Sequence, residues 1–255
     1  MALAIIGDLD FEKTYALAQE TFGKLKAAPV PERKMPVEQP LTENRKLTVS
    51  GPEAAHTRLG WRVERTPRNG ALITLIARVL KDSGYGLLEQ NLLRTQKLLG
   101  AGCHLRIGRE YMLFMLDGSP RAGQSLDEVS TLLLAELEKL RKGEYGDWRI
   151  GAVAENCRVT IAEIREGDNM NLAWEFADLF VNGDSYAELL ATPDRIAAFT
   201  KKDVTEFIEK YFAHHIRVDK TTGEPTNRVK VEKPKITPVA LNSEKESEYS
   251  RAFLQ

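Results

Sequence analysis

The sequence predicts an α+β fold, and three observations carry the prediction. Apolar residues recur at three-to-four spacing through several long segments, short alternating runs lie between them, and glycine or proline marks most junctions. The stretch from Gly86 to Trp148 shows the pattern most fully, as a Leu-rich helix, two β-rich runs, a long helix and a Gly-containing stop.

The elements follow in order. Ala2 to Ile6 is a short apolar run ended by Gly7-Asp8, which predicts a buried strand. Asp10 is placed to cap a helix whose Phe11, Tyr15, Leu17, Ala18, Phe22 and Leu25 fall near one face. From Ala28 to Leu41 the prolines Pro29, Pro31, Pro36 and Pro40 remove amide donors and disfavour helical geometry before each of them, predicting an extended connector. Arg45–Ser50 and Ala54–Arg65 alternate as strands on either side of Gly51-Pro52, and Asn69 to Lys81 returns to helical spacing.

Leu87, Leu88, Asn91, Leu92, Leu98 and Leu99 predict a helix stopped by Gly100 and Gly102. Cys103–Arg109 and Tyr111–Leu116 read as strands joined by a hairpin at Gly108 to Glu110. Ser125 and Glu128 make a capping box for a helix striped by Leu126, Val129, Leu132, Leu133, Leu137 and Leu140, and Gly143 closes it. Trp148 to Ile164 is helical up to a break at Gly167-Asp168-Asn169, and Leu172 to Phe180 continues the texture to Asn182-Gly183-Asp184. Thr200 and Asp203 cap a helix carrying Val204, Phe207, Ile208, Tyr211 and Phe212, after which His214–Val218 reads as a last strand. Beyond Lys220 apolar anchors thin out, as in a tether.

Composition narrows the function. At 255 residues the chain is long enough to bury a sizeable core unaided by disulfides or metal. Its 36 Lys plus Arg balance 37 Asp plus Glu, for a net charge of −1, so no basic surplus points to nucleic acid. No apolar run approaches the ~20 residues of a membrane helix. The N-terminus lacks a leader pattern, but its opening residues read like the middle of a fold, which leaves room for an export signal upstream. Cys103 and Cys157, outside any C-x-x-C spacing, read as buried thiols.

Chemistry-bearing patterns are sparse. Zinc on a helix needs two histidines about one turn apart, and His56, His104, His214 and His215 have no such spacing, so the sequence predicts neither metal ligands nor catalytic residues. Gly118-Ser119-Pro120 and Asn242-Ser243-Glu244 are not nucleophile elbows, and Cys103 and His104 diverge as strand neighbours. Gly84-Tyr85-Gly86 begins a G-x-G, but Glu89 stands where the third glycine of a dinucleotide loop belongs. Glu155, Glu163, Glu166 and Asp168 read as a solvated acidic face. Arg94 stands out on its Leu-rich helix, where a guanidinium can donate to a carboxylate or to peptide carbonyls and so contact a substrate; its plainer reading is a structural ion pair.

Taken together, Ile5-Ile6-Gly7-Asp8-Leu9-Asp10 before a helix, the connector 29–40, Leu92-Leu93-Arg94 with Leu99-Gly100, Leu132 to Gly143, and Thr200-x-x-Asp203 with Tyr211-Phe212 resemble the second lobe of one half of an insulinase-type, or pitrilysin-type, zinc peptidase. The likeness spans roughly residues 3–219. It implies a two-layer α+β sandwich, a mixed or antiparallel sheet with helices mainly on one face. It also implies that zinc, bound through H-x-x-E-H, sits in a preceding lobe outside this chain, and that two halves close around a peptide substrate. In the second half of such enzymes an Arg and a Tyr stand seven residues apart. Arg94 matches the Arg but Ala101 takes the Tyr position, which favours placement in the first half.

The resemblance thus implies a non-catalytic lobe at 1–219 and a linker at 220–255 toward a following half. Its partners are then the zinc lobe, the second half and the peptide, and the parent is a zinc metalloendopeptidase, periplasmic or otherwise exported. Two alternatives stand beside it: an inactive relative serving as a scaffold subunit, and a module that takes up a peptide as an edge strand.

Overall fold

The computed structural model describes residues 2–26, 28–29, 38–82 and 84–225. Most of the proline-rich connector and the tail after 225 lie outside the described residues. The elements run α1 (Phe11–Thr21), β1 (Arg45–Gly51), β2 (His56–Glu64), α2 (Pro67–Leu80), a π-helical turn (Glu89–Leu93), β3 (Gly100–Ile107), β4 (Tyr111–Ser119), α3 (Leu126–Arg141), α4 (Trp148–Glu166), α5 (Asn169–Asn182), α6 (Tyr186–Ala197), α7 (Lys201–Tyr211) and β5 (Ile216–Thr222).

The strands form one mixed sheet in the order β1-β5-β2-β4-β3. β2–β4, β3–β4 and β2–β5 are antiparallel, whereas β1 lies parallel to β5, with Leu47 opposite Val218. Among the described residues β5, the last strand in sequence, is therefore the only link between β1 and the rest of the sheet.

Burial alternates along the central strands, so one face carries the core and the other faces solvent. Leu59, Trp61 and Val63 of β2, with Met112, Phe114 and Leu116 of β4, point to the buried face. There they meet Leu72, Ile76 and Leu80 of α2, Val129, Leu133 and Leu140 of α3, and Val204 and Ile208 of α7. Trp61 is the centre of an aromatic group, 5.7 Å from the Phe114 ring and 5.2 Å from Phe212, and its indole N–H donates to the Phe212 carbonyl at 3.3 Å. The result is the two-layer α+β arrangement, with helices packed against one face of the sheet.

The capping residues act as the sequence predicts. Ser125 with Glu128, and Thr200 with Asp203, form complete capping boxes. Gly143 and Gly183 take left-handed φ of 71° and 75° just past α3 and α5.

Three expectations are corrected. Residues 2–6 form no strand and Leu3 and Ile5 are exposed, the segment adding to neither open edge of the sheet, β1 or β3. The helix expected to run to Leu99 ends at Leu93 instead, with Arg94 as its cap: Gln96, at φ 54°, accepts the left-handed position, its amide donating to the Leu93 carbonyl at 2.9 Å while the Lys97 amide donates to that of Leu92 at 2.8 Å. Gly100 and Gly102 belong to β3. Finally, α6 forms where sequence reading assigns no element, with Pro193 buried inside it.

Candidate functional site

The sequence points to Arg94, and the surrounding corner is built from four segments. The side chain projects from the end of the π-helical turn, 60% exposed. One terminal nitrogen donates to the Gly84 carbonyl at 2.9 Å, and its Nε lies 3.8 Å from a Glu89 carboxylate oxygen. Gly84 itself adopts φ 79°, and a Cβ on Gly86 would stand 2.5 Å from the Leu80 carbonyl oxygen, so this loop needs both glycines to turn so tightly.

Arg149 holds the same loop from below. It is almost wholly buried at the start of α4, donates to the Tyr85 carbonyl and, at 3.1 Å, to the Gln90 side chain, and stacks 4.9 Å from the Trp148 ring. Burial lowers its pKa, yet a guanidinium stays charged at any ordinary pH. Asn156, further along α4, donates to Asp82 at 2.8 Å. On the other side, buried Glu136 of α3 accepts from Asn91 and from Lys139, each at 2.6 Å. Arg94 is thus mounted on a turn braced from both α3 and α4.

Sequence reading missed Arg149. Its signal was there, since Arg149, Val153 and Cys157 share a four-residue spacing beside Ile150 and Ala154, placing a guanidinium within an apolar stripe.

The remaining polar residues do not converge. His104 Nε2 lies 2.7 Å from Asp117 Oδ1 on the open sheet face, where Arg58 also approaches at 3.7 Å. His215 packs on Trp61, and burial, with Arg217 and His214 nearby, lowers its pKa. His56 and His104 are on different strands of the sheet and share no third donor. Cys103 and Cys157 are free, and burial raises both thiol pKa values, away from a reactive thiolate. Ala101, at the position expected for a Tyr, is half-buried on β3 opposite Gly118.

Among the described residues no group of three His, Cys, Asp or Glu side chains converges as a metal site. No described helix is long and apolar enough to cross a membrane. The zinc of an insulinase-type enzyme therefore does not fit the residues described.

The family model described as the peptidase M16 inactive domain matches residues 1–156. The chain belongs to that family, as a non-zinc lobe of insulinase type; zinc belongs to the family's other lobe.

Solved structures agree on the fold. A protease from Helicobacter pylori shares 20% identity at a TM-score of 0.73, covering 85% of this chain and 53% of its own. The peptidase M16 inactive domain from Pseudomonas fluorescens shares 15% at 0.66, covering 87% and 54%. The periplasmic protease PqqL from Escherichia coli shares 16% at 0.63, covering 85% of this chain and 25% of its own. The chain spans about half the length of the first two. No curated protein matches it.

Proposed function

We propose that this chain is the second lobe of the first half of a zinc metalloendopeptidase, supporting a zinc lobe and helping to wall a chamber for unfolded peptides. The family membership carries the reading, because the inactive-domain match covers most of the sheet. The boundary expected between 219 and 220 falls inside β5, which runs to Thr222, so in this reading the lobe ends there and the remainder is a linker toward a second half. Likeness to a protease described as periplasmic favours an exported parent.

Arg94 supplies a contact for peptide carbonyls at the chamber wall. Substituting Arg94→Ala in the full-length enzyme should raise KM for a quenched fluorescent peptide and leave the unfolding midpoint unchanged, since the side chain is mostly solvated.

The direct test is to incubate the isolated 255-residue chain with zinc and that peptide. No turnover is expected. Turnover abolished by a chelator would overturn the reading, because it would place catalysis inside this lobe.

A further inference from the structure

We infer that Trp148 is a fixed apolar platform for one bulky, uncharged side chain of the peptide whose main chain meets Arg94, so that the substrates are unfolded segments bearing aromatic or large aliphatic residues. The inference rests on the reading of Arg94 as a peptide contact and deepens it by naming a substrate class.

A single exposed apolar side chain is ordinary on a protein surface. Trp148, the first residue of α4 and 60% exposed, differs in that its ring is held in place. The indole packs on the Gly146 backbone, where a Cβ would stand 2.5 Å from its Nε1 and 2.8 Å from its Cδ1, so the ring lies where only glycine leaves room. Over one face of the ring sits the buried Arg149 guanidinium, 4.9 Å from the ring centre.

The segment carrying the ring is anchored on both sides. Tyr145 before it and Ile150 after it are buried, the Arg149 amide donates to the Gly146 carbonyl at 3.1 Å, and Asp147 pairs with Lys201 of α7 at 2.6 Å. The indole is therefore positioned before any ligand arrives.

Arg149 also sets the neighbouring surface. It donates to the Tyr85 carbonyl, and Tyr85, itself 64% exposed, stands between Gly84, whose carbonyl accepts from Arg94, and Gly86. An indole, a phenol and a solvent-facing guanidinium are thus mounted around one tight loop. Rigid aromatic rings offer contact area at little conformational cost, and a guanidinium beside them suits the carbonyls of an extended main chain.

Charge selects an uncharged occupant. Arg149 already covers one face of the indole, Arg94 holds the same loop, and Lys201 engages the acidic neighbour Asp147. A lysine or arginine of the peptide would meet like charges at this corner, and a carboxylate would lose hydration against an apolar ring. An aromatic or leucine side chain gains buried area there with neither cost.

Peptide binding to the full-length protein, kept free of zinc with a chelator so that no cleavage intervenes, tests the inference. The probes are fluorescein-labelled Gly/Gln peptides carrying spaced Phe, Ser or Arg residues, followed by anisotropy. The wild type should bind the Phe peptide about tenfold more tightly than the Ser peptide. Trp148→Ala should bring that ratio close to one, Trp148→Phe should keep most of it, and Gly146→Ala should lower it by displacing the indole. Trp174→Ala, which removes a comparably exposed indole from α5, should leave it unchanged.

A ratio that survives in Trp148→Ala, or one that vanishes in Trp174→Ala, would overturn the inference, as would tightest binding of the Arg peptide. Chelator-sensitive cleavage by the zinc-loaded full-length protein, measured alongside, tests the peptidase reading separately. Cleavage without a Trp148-dependent ratio would refute the platform alone, whereas the ratio without cleavage would support the platform and refute the peptidase.

Discussion

Removing the Asp219 carboxylate should detach β1 and β5 from the helical layer. The side chain is only 5% exposed, on the helix-facing side of β5. It accepts from Thr57 of β2 at 2.5 Å and from two nitrogens of Arg217 at 2.8 and 2.7 Å, while Lys46 of β1 stands 3.2 Å away. Arg217, 11% exposed, also reaches Asp127 in the first turn of α3 at 2.6 Å. Asp219→Ala leaves that guanidinium with Asp127, 71% exposed, as its remaining acidic partner. Breaking a buried pair from one side costs about 3–5 kcal/mol, a third or more of a typical domain's stability.

For a chain of this size that loss corresponds to a fall of about 6–20 °C in the thermal midpoint. Circular dichroism in heat and urea measures it, with Asp127→Ala as the control, whose midpoint should barely move because the carboxylate is solvated. The pH dependence has a definite sign. Burial opposes ionisation of Asp219, but Arg217, Thr57 and Lys46 outweigh it and hold the pKa below the ordinary value. The contribution is therefore full above the unfolded carboxylate's pKa and is lost as pH falls through the lower folded value. A shift for Asp219→Ala no larger than that for Asp127→Ala would refute this account of how the sheet is tied together.

Three further outcomes follow from local geometry. Gln96→Gly should stabilise the chain by about 0.5–1 kcal/mol, visible as a higher urea midpoint, because glycine takes the φ of 54° without a Cβ penalty. Gly118→Ala should destabilise it by about 1–3 kcal/mol in the same assay, since the new methyl would stand 2.7 Å from Val129 and 3.2 Å from Leu133 where α3 meets β4. Asp203 is held at about 2 by the Thr200 hydroxyl and amide, and by Arg68, against partial burial. Acidification from about pH 5 to pH 2 should remove about 1–2 kcal/mol through this group, and Asp203→Asn should flatten that part of the stability profile.

What could be read from the sequence is what was settled within a few residues. Both capping boxes and the glycine stops at Gly143 and Gly183 depend on groups three to five positions apart, and each forms as its spacing predicts. The placement of β5 between β1 and β2 depends on partners some 160 residues away, so the sequence shows a strand but not its neighbours. α6 was hidden by Pro193, whose lost amide donor argues against a helix. Burial of Pro193 and Ile196 against the rest of the helical layer outweighs that loss.

The corner around Arg94 divides in the same way. Arg94 stood out because it interrupts leucines, a one-dimensional signal. The groups that fix its mount, Arg149 from α4 and Glu136 from α3, look in sequence like ordinary charges on amphipathic helices, and only packing makes them buried. The expectation of a buried strand at 2–6 failed for a related reason. Apolar composition states that a segment must be covered, but it does not say by what. At 2–6 the described fold supplies no cover, and a correct reading of the demand gives an incorrect reading of the local structure.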